Sequence, residues 1–80
     1  MDPILGEIQL YSFSFDMEHW MRCEGQIIPI DENPALYSLL GTIYGGNGTT
    51  TFALPNLKGA EPVPGMSYYI STQGNYPQRS

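Results

Sequence analysis

The stretch Asp31-Glu32-Asn33-Pro34-Ala35-Leu36-Tyr37-Ser38-Leu39-Leu40-Gly41 carries the start and stop signals of one helix. Asn33 is a good N-cap, Pro34 suits the first helical position, and Gly41 accepts the left-handed conformation that ends a helix. The acids at 31 and 32 lie near the positive end of its dipole. Leu36, Leu39 and Leu40 fall at i, i+3 and i+4, a single apolar stripe that needs something to face. A helix over about residues 34–40 is therefore predicted.

What it faces must be strands. Upstream, residues 6–15 (GEIQLYSFSF) read as a strand whose apolar phase changes midway. Ile8 and Leu10 share one parity while Tyr11, Phe13 and Phe15 share the other, so either a bulge or burial on both faces is required. Gln26-Ile27-Ile28 reads as a second short strand ended by Pro29, which lacks a ladder donor. Downstream, Gly45-Gly46-Asn47-Gly48 is rich in residues that accept positive φ, and Thr50–Leu54 follows as a third strand stopped by Pro55. Residues 59–65 (GAEPVPG) form an extended connector without regular pairing. In residues 66–72, Met66, Tyr68 and Ile70 alternate onto one face of a last strand before the tail to residue 80. The reading is a small, β-rich α+β fold, residues 1–80 as one domain, with one short helix packed on short strands.

Eighty residues give a thin core, and at this size disulfides, a metal or oligomerisation usually supply part of the stability. Cys23 is the single cysteine, so no intrachain disulfide is possible, and no CxxC pair or histidine cluster suggests zinc. Assembly is the support that composition leaves open. The net charge of −5 argues against a phosphate-backbone partner, so no nucleic acid is expected. Charge is uneven along the chain. Residues 1–32 hold Arg22 against seven acids, whereas residues 33–80 hold Lys58 and Arg79 against Glu61. Such asymmetry can orient a head-to-tail contact, although a solvated acidic face is the plainer account. No stretch approaches the roughly 20 apolar residues of a membrane span, and Met1-Asp2-Pro3 lacks the basic start of a signal peptide. Synthesis in the cytoplasm is expected, with any external product released with a particle or by a route without a cleaved signal.

Candidate chemistry is sparse. The glycine-rich loop lacks the Gly-Lys-Ser/Thr ending of a phosphate loop and precedes a strand, so a turn is the preferred reading. His19 and Cys23 stand four apart, the spacing of an imidazole-activated thiol on a helix, but Trp20, Met21 and Gly25 give no helical pattern, and a structural role is preferred. Asp16, Glu18, His19 and Glu24 could gather around a divalent cation, yet their spacing matches no known loop. Asn47-Gly48-Thr49 fits the N-glycosylation pattern, which is common by chance. Without a GxSxG, HExxH or paired-carboxylate signature, no enzyme and no cofactor is predicted.

Longer patterns are more telling. Gly6-Glu7-Ile8, Trp20-x-x-Cys23-x-Gly25-Gln26, Asn33-x-Ala35 through Thr42, Tyr44 through Gly48, and Thr50 through Leu57 together resemble the phage tail collar domain, including its microcystin-dependent-protein-like members. The resemblance runs over residues 6–57, and residues 1–5 and 69–80 are similar to the family's ends. It implies a whole, minimal member, in which residues 59–65 replace the long variable segment of larger relatives, and in which residues 66–80 form the closing strand and tail. It also implies a tail-fibre or collar component that forms homo-oligomers, with no catalytic residues.

From these readings Trp20, Leu36, Leu39, Leu40, Phe52 and Leu54 are expected to form the core. Ile4, Leu5, Tyr68, Tyr69, Ile70, Tyr76 and Arg79 are expected at an assembly interface, where an apolar end adds a strand to a neighbour's open edge. The partner is another copy, as a trimer or filament, or other tail or fibre proteins; the setting is a phage-tail-like particle or an extracellular filament. The alternative is an attachment module that stacks a cell-surface glycan on Tyr11, Tyr37, Tyr44 and Tyr76, for which core and interface packing is the plainer account.

Overall fold

In the computed structural model, which describes residues 3–78, helix α1 runs from Pro34 to Leu40 as predicted. Its ends differ in detail. Asn33 sits at the N-cap with φ −140°, but its side chain caps nothing; its carbonyl instead accepts the N–H of Tyr37 at 3.0 Å. Gly41 takes a positive φ of 56°, but its ψ of −142° lies outside the left-handed helical region, and its N–H closes the helix on the Tyr37 carbonyl at 2.7 Å.

Among the described residues five strands accompany the helix: β1 (Ile8–Tyr11), β2 (Trp20–Arg22), β3 (Ile27–Pro29), β4 (Thr51–Ala53) and β5 (Ser67–Ser71). They form a three-stranded sheet in the order β1-β5-β2 and a two-stranded sheet β3-β4, all antiparallel. The α+β class is as expected, and the strand ends are trimmed. Strand β2 has no counterpart among the predicted strands, and β3 includes Pro29 as its last residue.

The predicted strand over residues 6–15 stops at Tyr11; burial on both faces accommodates its phase change, and a bulge lies upstream of it. Gly6, at φ 83°, donates to the Ser71 carbonyl while Glu7 accepts from the Ser71 N–H, each at 2.9 Å. Two residues opposite one, opened by a positive-φ glycine, make a bulge at the strand's start. Beyond Tyr11 the chain leaves the sheet as a strap over residues 12–19, in which Phe13 lies against Tyr69 on the face opposite the main core and Phe15 stacks on Phe13.

That is possible because β5 is the central strand. Its register places Ile8, Ile70 and Met21 across one face and Gln9, Tyr69 and Arg22 across the other. Ile70 and Tyr69 are consequently 0% and 1% exposed. The predicted alternation of Met66, Tyr68 and Ile70 describes only one of two buried faces.

The main core joins Leu5, Cys23, Ile28, Leu36, Phe52, Leu54 and Ile70, with Leu39, Leu40, Met21, Ile30, Tyr37, Leu57 and Tyr68 packed against it. Both sheets and the helix contribute, and each fully buried Leu, Phe or Ile stabilises by about 1.5–3 kcal/mol. Trp20, expected as a core anchor, lies elsewhere. Its partner is Ser71, on the strap side of β5, where the indole meets Tyr11 edge-on at 5.9 Å.

The two described ends of the chain pair with each other. Leu5 donates to the Asn75 carbonyl and Asn75 to the Pro3 carbonyl, both at 2.9 Å, around a parallel Ile4–Asn75 bridge. Gly74 permits this approach: a Cβ there would sit 2.2 Å from the Pro3 oxygen.

Candidate assembly surface

An outer strand leaves alternate backbone N–H and C=O groups facing outward, so the ends of the β1-β5-β2 sheet are the places where a further strand could pair. The β2 side is partly occupied, because the Arg22 carbonyl accepts the Gln26 side-chain amide at 2.8 Å and the Glu24 N–H at 3.1 Å. The β1 side is more open. Ile4 and Ile8 are exposed there, at 51% and 41%, beside Glu7. The Glu7 carboxylate accepts from the Gln9 amide and from the Ile4 N–H, and these bonds hold its pKa below the ordinary carboxylate value.

The described residues among those expected at an assembly interface divide into three groups. Leu5, Tyr69 and Ile70 are core residues of the monomer, which removes them as surface contacts: once β5 is flanked on both sides, neither its edge nor its side chains are free. Tyr68 is half-buried against the main core. Ile4 and Tyr76 are exposed, Tyr76 at 54% with its hydroxyl 2.7 Å from the Ser38 hydroxyl on α1. Arg79 lies outside the described residues. Ile8 is not among the expected interface residues: it shares a face with buried Ile70, and its exposure comes from its place on the outer strand, which the local pattern does not show.

The tyrosines proposed as stacking platforms are similarly split. Tyr11 packs against Phe13, Trp20 and Tyr69, and Tyr37 packs on Phe52 while donating to the Gly48 carbonyl at 3.2 Å. Tyr44 and Tyr76 are exposed.

The catalytic and ligand-binding alternatives find other arrangements. Cys23 is buried just beyond β2, and burial pushes its thiol up to about 11, the opposite of what a nucleophile needs. His19 lies on the turn before β2 and pairs with Glu18 at 3.4 Å. Asp16 is committed to Arg22 at 3.2 Å. Among the described residues, no three His, Cys, Asp or Glu side chains converge at a metal-holding distance.

The glycine-rich loop is organised by Asn47. Its side-chain oxygen accepts the N–H groups of Thr49, Thr50 and Thr51 at 2.8, 2.8 and 3.0 Å, and its amide donates to the Thr50 hydroxyl at 3.0 Å. The Gly48 N–H is held by the Thr51 carbonyl at 3.0 Å. A phosphate would need those same donors, so the loop is built as a turn and its anion position is filled from within. No helix among the described residues is long and apolar enough to cross a membrane.

Comparison with known proteins gives one family. The model described as Phage Tail Collar Domain matches residues 6–62. No curated protein matches the chain.

Proposed function

The chain belongs to the phage tail collar domain family, and on that footing we propose that it is a non-enzymatic structural subunit that associates with copies of itself into a fibre or filament. The family is a structural one of phage tails, and its match over residues 6–62 carries the reading. Three physical features support the step to self-association. The core is thin for an independent fold. The β1 side of the larger sheet is an open end rimmed by exposed Ile4 and Ile8. The acids concentrate in residues 1–32 and the sequence after them is slightly basic, which suits repeated head-to-tail contacts that do not close into a ring. The place of work is a phage-tail-like particle or an extracellular filament, and the partners are further copies or other tail proteins.

Negative-stain microscopy of the purified protein, with mass photometry across a dilution series, tests this. Uniform filaments or discrete trimers are expected, and Ile8→Lys should shift the distribution toward monomer. A monomer at every concentration would exclude self-association.

A further inference from the structure

The chain's one tryptophan borders an open depression of about 460 Å³, where Glu18, His19 and Trp20 face Gln73 and Asn75 across the backbone of Pro3 and Gly74. Backbone bonds hold each wall, and one of them joins the two. The Trp20 N–H closes a turn on Met17 at 3.3 Å, the Thr72 N–H holds the His19 carbonyl at 2.8 Å, and Asn75 holds Pro3 at 2.9 Å. His19 takes φ 67°, the left-handed region that a residue with a Cβ seldom adopts. Strain of this kind concentrates at ligand sites. Glu18 and Trp20 flank His19, and both line the depression.

The lining has a specific chemistry. The indole is propped edge-on against Tyr11 at 86°, so it is a rigid apolar surface that loses little freedom when something stacks on it. With it in the lining are the Glu18 carboxylate, the His19 imidazole 3.4 Å from it, and the Gln73 and Asn75 carboxamides, groups that accept from and donate to neighbouring hydroxyls. Lys58 and Arg22, the two Lys or Arg residues within the described span, are absent from the lining, which disfavours phosphate and acidic sugars. An apolar plate ringed by hydroxyl-matching groups, with no Lys or Arg and with the His19 imidazole set against Glu18, fits a pyranose ring, its C–H face on the plate and its hydroxyls outward.

We infer that this depression binds a neutral saccharide, with Trp20 as the stacking surface and Glu18, Gln73 and Asn75 holding hydroxyls. The site does not depend on self-association, and it replaces the exposed tyrosines as the place where a glycan would dock. Trp20 is the sole indole but also borders a second depression with Asp16, Arg22 and Gln26, so tryptophan emission detects binding and the amide shifts locate it. Maltotriose, cellotriose and chitotriose are each titrated into the native protein at a concentration where its oligomeric state is constant by light scattering. A saturable change in emission is expected with at least one, accompanied by amide shifts confined to residues 18–20 and 73–75. Glu18→Gln and Gln73→Ala are exposed substitutions expected to leave the melting temperature unchanged and to weaken that binding about tenfold each, the size of one lost charged or neutral hydrogen bond. Emission unchanged by all three sugars, or binding unaffected in both variants, would overturn the proposal.

Discussion

The Tyr69 hydroxyl donates to the Phe15 carbonyl at 2.7 Å and lies 3.3 Å from that of Phe13, so a phenol from the central strand pins the strap that covers it. Tyr11, Phe13 and Phe15 stack in succession over this face, and Arg22 ties the strap down through the Ser14 carbonyl at 2.7 Å. Replacing Tyr69 with Phe keeps the ring and removes the donor. A loss of about 1–2 kcal/mol in urea unfolding is expected, together with faster proteolysis within residues 12–19. An unchanged cleavage rate there would show that ring packing alone holds the strap.

Burial raises the Cys23 thiol to about 11, against an unfolded value of about 8.5. The native state thus keeps a proton that the unfolded chain releases. This contribution is fully present below pH about 8.5 and is lost as pH rises toward about 11, at up to about 1.4 kcal/mol per pH unit. Stability measured between pH 8.5 and 9.5 should fall, and the fall should flatten in Cys23→Ala. Over the same range the native thiol should resist iodoacetamide and react once urea unfolds the chain. Tyr69, whose phenol burial also raises, adds a decline in the same direction at higher pH.

Gly46, at φ 91°, brings the loop against β4 so closely that a Cβ would lie 2.3 Å from the Phe52 Cα and 2.7 Å from the Thr51 oxygen. Both are backbone atoms, so no side chain can move aside. Gly46→Ala should cost about 3 kcal/mol or more, lowering the thermal midpoint by well over 10 °C for a domain this small. Gly59→Ala is the comparison, since its positive φ is as large but nothing stands within 4 Å; its cost should be clearly smaller.

Asn47→Ala removes one acceptor from three N–H groups in an exposed loop. Water can replace part of what is lost, so the expected cost is about 1–2 kcal/mol. Asn47→Asp keeps the acceptor and should retain most of the stability. Amide exchange at Thr49, Thr50 and Thr51 should accelerate in the alanine variant alone.

Local signals made the helix legible. Asn33-Pro34 and Gly41 punctuate it, and three leucines on one stripe state which side is buried, all within a few residues of chain. The turn before β4 was equally readable, because glycine tolerance of positive φ is intrinsic to the residue. β2 was not. Trp20-Met21-Arg22 has no pattern of its own, and it is a strand because β5, nearly fifty residues later, offers it a ladder.

The assembly surface shows the same division. Leu5, Tyr69 and Ile70 have the composition of an adhesive end, and Ile8 that of an interior strand residue. Their real positions are reversed because β5 lies between β1 and β2 and because the segment after it pairs back onto Pro3 and Leu5.

By itself, then, the sequence determined the α+β class, the helix, the turn chemistry and the family resemblance, since each depends on local propensity or on residues in a recognisable order. Only the tertiary structure decided which strand is central, which tyrosine is buried and where Trp20 stands. Those outcomes depend on pairings between distant segments: alternation along a strand sets the face of each side chain, but the flanking strands and what packs on each face decide whether it is buried.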